Sequence, residues 1–324
     1  MPESIDNTLN KVRSYRENPA INQSYLKNLV LPRIYKEESA LFAKGDYIDM
    51  ALTYPEIDLR EHFAISNVNR PSDTIIAICQ KLDPLIEKIQ DIEDLKDFIT
   101  EDILGDYYQN RSLESRIKSF LEAGKEWLKF RIENKGKQFL TEKEVSELDW
   151  AILKCKRSET WKTIIKNDPK FQFDFYWNME GVDCKGLADI VLFNNFTYEI
   201  DIKFTTARTL ENWVYIMKEL HYPFQKAFYY DGLKKVIPDT DVKSFWLVVS
   251  PYFTHLVSVP VTLLKWGRDG YVTKYGSIDK LDLSKRVPGY LDAIKLHLSP
   301  TQVELPEQIS SSRLMSMLFK NSEV

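Results

Sequence analysis

Residues 186–207, GLADIVLFNNFTYEIDIKFTTA, are two aliphatic, β-branched runs separated by Asn194-Asn195. Such runs on either side of an Asn-rich turn predict an antiparallel hairpin. Yet Asp189, Asp201 and Lys203 stand among the aliphatics, and a carboxylate buried without a partner costs several kcal/mol. Register decides what these groups do. A loop of Asn194, Asn195 and Phe196 sets Phe193 across from Thr197 and Asp189 across from Asp201, with Cβ atoms about 5 Å apart on one face. A shorter Asn194-Asn195 turn would set Asp189 across from Ile200. In the first register Lys203 shares the face of Asp201, because strand side chains alternate.

Two ionised carboxylates that close repel each other and become tolerable around a divalent cation, and hard oxygen ligands suit Mg²⁺ or Mn²⁺. A neighbouring lysine positions or deprotonates an attacking water. Together these are the parts of phosphodiester hydrolysis: a stabilised transition-state charge and an activated nucleophile. The same residues also fit a hairpin with solvated polar faces, where Asp189, Asp201, Glu199 and Lys203 form exposed pairs, since the pattern is short.

Around this hairpin the chain changes character once. Residues up to about 20 are polar and aperiodic, a flexible lead-in. Ser24 is placed to cap a helix in SYLKNLVLPRIYK, with Pro32 as its kink or boundary, and FAKGDYIDMALTYPE repeats at helical spacing up to Pro55. Helical patterns dominate from 72 to 165, with Thr141 and Glu144 in a capping box. From Phe171 the periodicity becomes that of strands, in FQFDFYWNME, the hairpin and SFWLVVSPYFTHLVSVPV, interrupted by one or two helices in LENWVYIMKELHYPFQKAFYYDGLKK. A helical tail from Pro288 is broken at Pro300 and Pro306. The pattern predicts an α/β protein with a helical N-terminal half and helices packed on a mixed sheet.

Charge and cysteine usage narrow the function classes. A net charge of −4 confines any nucleic-acid surface to a local patch. Three scattered cysteines, Cys79, Cys155 and Cys184, give no zinc spacing and no disulfide framework, and read as reduced thiols. No signal peptide and no run of about 20 apolar residues is visible, so a soluble cytoplasmic protein without membrane contact is expected.

GLAD ending at Asp189, followed by Asp201-Ile202-Lys203, resembles the PD-(D/E)xK nuclease superfamily, with its proline replaced by Ala188. Gln225 and Tyr229 in HYPFQKAFYYDGL match the Q-x-x-x-Y of the RecB-like branch, and at i, i+4 they share a helix face. The wider run resembles RecE (exonuclease VIII), although Phe204 intrudes before Thr205-Thr206. The likeness spans roughly residues 20–265, within a domain taken as 21–270 with a helical insertion around 90–140 and a tail over 271–324. It implies a restriction-endonuclease-like fold in which Asp189, Asp201 and the Ile202 carbonyl hold Mg²⁺ or Mn²⁺. Lys203 would then act on the water, while Gln225 and Tyr229 position the metal-site side chains and the scissile strand. Asp49 takes the place of a metal-binding histidine, and Gln172 that of a glutamate. The implied activity is a DNA exonuclease on linear double-stranded ends in phage-type recombination, with a single-strand annealing protein as partner and a ring-shaped homo-oligomer.

Several readings stay open at this level. Lys218, Lys226, Lys234 and Lys235 present either a basic side for DNA phosphates or a solvated helix face. His221 fits a phosphate contact or a structural helix end, and Glu199 a metal site or a solvent-facing pair. An endonuclease or a repair or defence nuclease of the same fold uses the same chemistry. A catalytically silent DNA-binding protein is the rival that the missing histidine favours and the intact Asp189, Asp201 and Lys203 set opposes.

Overall fold

A computed structural model describes residues 14–31, 40–54, 56–68, 71–86, 88–89, 91–272 and 286–299. Its helices are α1 (Gln23–Val30), α2 (Ala40–Thr53), α3 (Asp73–Ile86), α4 (Glu101–Leu104), α5 (Leu113–Glu133), α6 (Glu142–Arg157), α7 (Glu159–Lys166), α8 (Leu210–Glu219), α9 (Tyr222–Val236), α10 (Val261–Asp269) and α11 (Tyr290–Leu298). Its strands are β1 (Phe63–Ser66), β2 (Gln138–Thr141), β3 (Lys170–Met179), β4 (Val182–Phe193), β5 (Thr197–Phe204), β6 (Val242–Val249), β7 (Thr254–Ser258), β8 (Tyr271–Val272) and β9 (Arg286–Val287). This is the expected α/β class, helical in its N-terminal half and carrying a mixed sheet. The chain divides into two compact units, one of Met1–Lys36, Leu52–Glu56 and Ala151–Val324, the other of Glu37–Ala51 and Ile57–Trp150.

The second unit is mostly helical. Ile75, Cys79 and Leu82 of α3 meet Phe120, Trp127 and Leu128 of α5 in its core. It also holds a parallel pair, β1 against β2, from Phe63–Gln138 to Ser66–Thr141. Two strands of four residues each are too short to show a period against helical surroundings, and the sequence does not predict them. Immediately after β2 the predicted capping box forms, with Glu144 N–H donating to Thr141 Oγ1 at 3.2 Å and Thr141 N–H to Glu144 Oε2 at 2.9 Å.

The first unit is built on a five-stranded sheet in the order β3-β4-β5-β6-β7. Neighbours are antiparallel except β5 and β6, which are parallel and joined through α8 and α9. Helix α9 puts Phe224, Ala227, Phe228 and Leu233 into one core with Phe175 and Trp177 of β3 and Ala188 and Val191 of β4, closed by Leu26 of α1 and Ile294 of α11. Gly186 makes the strand contact possible, since a Cβ there would lie 2.2 Å from the Phe175 ring. Trp213 and Met217 of α8 pack with Trp246 and Val248 of β6.

Helix α1 is capped by Asn22, whose Oδ1 accepts from Tyr25 N–H at 2.9 Å; the expected cap, Ser24, already lies within the first turn. Pro32 falls outside the described residues. The lead-in expected to be flexible is tied down from residue 14 onward. Residues 14–17 form a helical turn, and the buried Lys185 ammonium donates to the carbonyls of Tyr15 at 2.7 Å and Asn18 at 2.6 Å. Ile21 then bonds to β4 through Asp183 O and Lys185 N–H. Residues 1–13 lie outside the description, as do Pro300 and Pro306 of the expected tail. All three cysteines are buried and unpaired. No helix among the described residues is long and apolar enough to cross a membrane.

Candidate active site

The hairpin has the three-residue loop. Phe193 pairs with Thr197, and the ladder runs back to Ile190–Ile200. One step beyond, where Asp189 and Asp201 stand opposite each other, pairing stops. Asp189 Oδ2 there accepts the Ile202 backbone N–H at 2.6 Å, so a side chain takes the place of a ladder bond. On the other side of β4 the β3 ladder also breaks across from Asp189, between the Phe171–Ile190 and Phe173–Ala188 pairs. The residue in the gap is Gln172. It is buried, its φ is 46°, and its amide donates to Thr53 Oγ1 at 3.2 Å. A non-glycine residue in this region is strained by about 1–3 kcal/mol, and such strain gathers at functional positions.

Asp201, Lys203 and Gln225 form a closed triangle. Gln225 Nε2 donates to Asp201 Oδ1 at 3.0 Å, and Lys203 Nζ donates to Gln225 Oε1 at 3.2 Å. Lys203 Nζ also lies 2.7 Å from Asp201 Oδ2, so the ammonium pairs with that buried oxygen. Burial disfavours the charge on Lys203, but Asp201, Tyr222 and Asp189 outweigh it and hold the pKa above the ordinary lysine range. The ammonium is therefore a fixed cation in this arrangement; it can orient a water or an anion but is a poor base. Its other neighbour is the Tyr222 ring, 4.8 Å away.

Tyr229, one turn beyond Gln225, is buried, and burial, Tyr15, Asp189 and Asp201 together push its hydroxyl pKa well upward. It remains a neutral donor. Sequence reasoning missed Tyr15, and it also missed Lys27 of α1. The Lys27 ammonium donates to Leu220 O at 2.7 Å, and burial followed by the charge of Lys203 lowers its pKa to about 8. Neither residue carries a local signal, since a helical lysine and a tyrosine in a polar stretch read as surface.

Two readings are corrected. Lys226 does not face DNA: its side chain is 0% exposed and binds both carboxylate oxygens of Glu199, at 2.7 and 2.8 Å. Glu199 is equally buried and meets no solvent. The cause is the alternation of β5, which turns Glu199 with Asp201 and Lys203 toward α9. Burial and Lys27 lower the His221 pKa to about 4, so its imidazole is neutral and offers a phosphate no charge. Lys218, Lys234 and Lys235 are exposed. Asp49 lies on α2 in the helical unit.

Among the described residues no three His, Cys, Asp or Glu side chains gather around one point. An ion that takes one or two carboxylates and keeps water in its other positions, as Mg²⁺ does, is the kind that Asp189 and Asp201 could hold. Asp189 and Asp201, across from each other at the break in the ladder, supply the carboxylate oxygens, one of which already meets the Lys203 ammonium.

No family model matches this chain, and no curated protein matches it. Among solved structures, a protein named "Putative exonuclease" from Eubacterium rectale is similar at 12% identity and a TM-score of 0.37, over 82% of this chain and 80% of the other. SSO0001 is similar at 10% identity and a TM-score of 0.24, over 69% and 81%. At these TM-scores neither likeness bears on what this chain does.

Proposed function

We propose that this chain is a metal-dependent deoxyribonuclease that hydrolyses phosphodiester bonds, acting as an exonuclease on linear double-stranded DNA. One observation carries the reading: Asp189 and Asp201 stand across from each other at the break in the β4–β5 ladder, with Lys203 and Gln225 bonded around the Asp201 carboxylate. Asp189, Asp201 and the Ile202 carbonyl would hold Mg²⁺ or Mn²⁺. A bound ion of this kind supplies Lewis acidity toward the phosphoryl oxygens and lowers the pKa of its water. Lys203 orients the attacking water and offsets charge growing on the phosphate, Gln225 fixes the Asp201 carboxylate, and the neutral Tyr229 hydroxyl stays available as a donor.

Exonuclease action, a place in phage-type recombination, an annealing partner and a homo-oligomer follow from the RecE resemblance. The purified protein should degrade linear duplex DNA with Mg²⁺ or Mn²⁺ and lose this activity with EDTA. Asp201→Asn and Lys203→Ala should each reduce the rate by at least about 100-fold, the scale of a lost electrostatic group in an active site. Equal cutting of linear and covalently closed DNA would assign an endonuclease instead. Duplex binding without cleavage under any divalent ion would assign a silent DNA-binding protein.

A further inference from the structure

The Lys226–Glu199 pair lies entirely inside the protein. Burying two charges costs several kcal/mol per ion, and apolar residues of similar volume often replace such pairs with no loss of stability. Stability alone therefore does not account for it, but its place in the fold does. Glu199, Asp201 and Lys203 alternate along one face of β5, and Lys226 follows Gln225 on α9. Neighbouring helical residues project about 100° apart. Lys226 grips Glu199 while Gln225 bridges Asp201 and Lys203. Both contacts are satisfied together at one rotational setting of the helix. Apolar packing is non-directional and tolerates rotation, whereas a charge-assisted contact from one ammonium to both carboxylate oxygens is directional. Trp246, across β6 from Asp201, walls the pair, its ring 6.0 Å from Lys226 Nζ.

We propose that the buried Lys226–Glu199 pair is a positioning device that sets the rotation of α9 and so places the Gln225 carboxamide between Asp201 and Lys203. The kinetic part of its test rests on the nuclease reading of the site; the spectroscopic part does not. Single neutralisations leave an unpaired buried charge, so the informative variant is E199M/K226M. It should melt at or above the wild-type temperature, yet the NMR signals of the Gln225 side-chain amide, assigned by their loss in Gln225→Ala, should move. kcat on duplex DNA should fall about 10- to 100-fold, the cost of a displacement near 1 Å, with KM unchanged. Adding Gln225→Ala to the double variant should then cost nothing more, although it is costly in the wild type. Unmoved amide signals with wild-type kcat, or an equal cost of Gln225→Ala in both backgrounds, overturns the proposal.

If the double variant does not fold, Glu199→Asp keeps both charges and shortens the anchor by about 1.5 Å. It should shift the same amide signals, and unshifted signals sink the idea. A wild-type protein that cuts no DNA overturns the nuclease reading alone, and the amide signals then decide the positioning role.

Discussion

His221 opens α9 with φ at 54°, a left-handed conformation, and its Nδ1 is buried without a hydrogen bond. Burial and the nearby Lys27 lower its pKa from 6.5 to about 4. Its folded pKa lies below the unfolded value, so between these limits the unfolded chain takes up the proton that the folded one refuses. The stabilising contribution is present above pH 6.5 and is lost as pH falls toward about 4, on the order of 3 kcal/mol in all. His221→Asn keeps a residue that tolerates positive φ. The stability difference between wild type and this variant, from urea midpoints across the range, should therefore shift toward the variant as pH falls. A constant difference would show that His221 titrates normally. At this scale Asp189, Asp201, Lys203 and Gln225 were singled out in the sequence by the family resemblance, and the structure bonds Gln225 to Asp201 and to Lys203. Lys226 was misread because nothing local separates a lysine that meets solvent from one that meets a buried glutamate.

At the scale of elements, the hairpin and the Thr141–Glu144 box were readable because both are closed within a few residues, while the choice between the two hairpin registers was left to the structure. The start of α9 depends instead on a partner helix. Gly267 of α10 packs where a Cβ would sit 1.8 Å from the Pro223 carbonyl oxygen, a backbone atom that cannot swing away. Gly267→Ala should force α10 off the first turn of α9 and destabilise the protein by about 1–3 kcal/mol, read as a lowered denaturant midpoint. A neutral effect would mean that the two helices separate easily. The strands β1 and β2 show the opposite limit, since their four-residue spans carry no period of their own and pair only through a partner more than 70 residues away.

For the whole molecule, each unit has its own core. Leu82 is fully buried in the helical unit beside residues such as Trp127. Leu82→Ala should lower that unit's stability by about 2–5 kcal/mol, measured through Trp127 fluorescence during urea unfolding. A shift near zero would deny that this core holds the unit together. The net charge of −4 confines any nucleic-acid surface to local groups, and of the lysines considered for one, Lys218, Lys234 and Lys235 are exposed.

By itself the sequence determined what short-range backbone geometry dictates: a helical half followed by strands, a hairpin about Asn194-Asn195, Gln225 and Tyr229 one helical turn apart, and Asp201 and Lys203 on one strand face. Tertiary structure alone decided what covers that face. The approach of Lys226 to Glu199 spans 27 residues and that of Lys185 to Tyr15 spans 170. Side-chain alternation specifies a direction, but a partner arriving from so far along the chain is selected by the packing of whole helices, which no local pattern encodes.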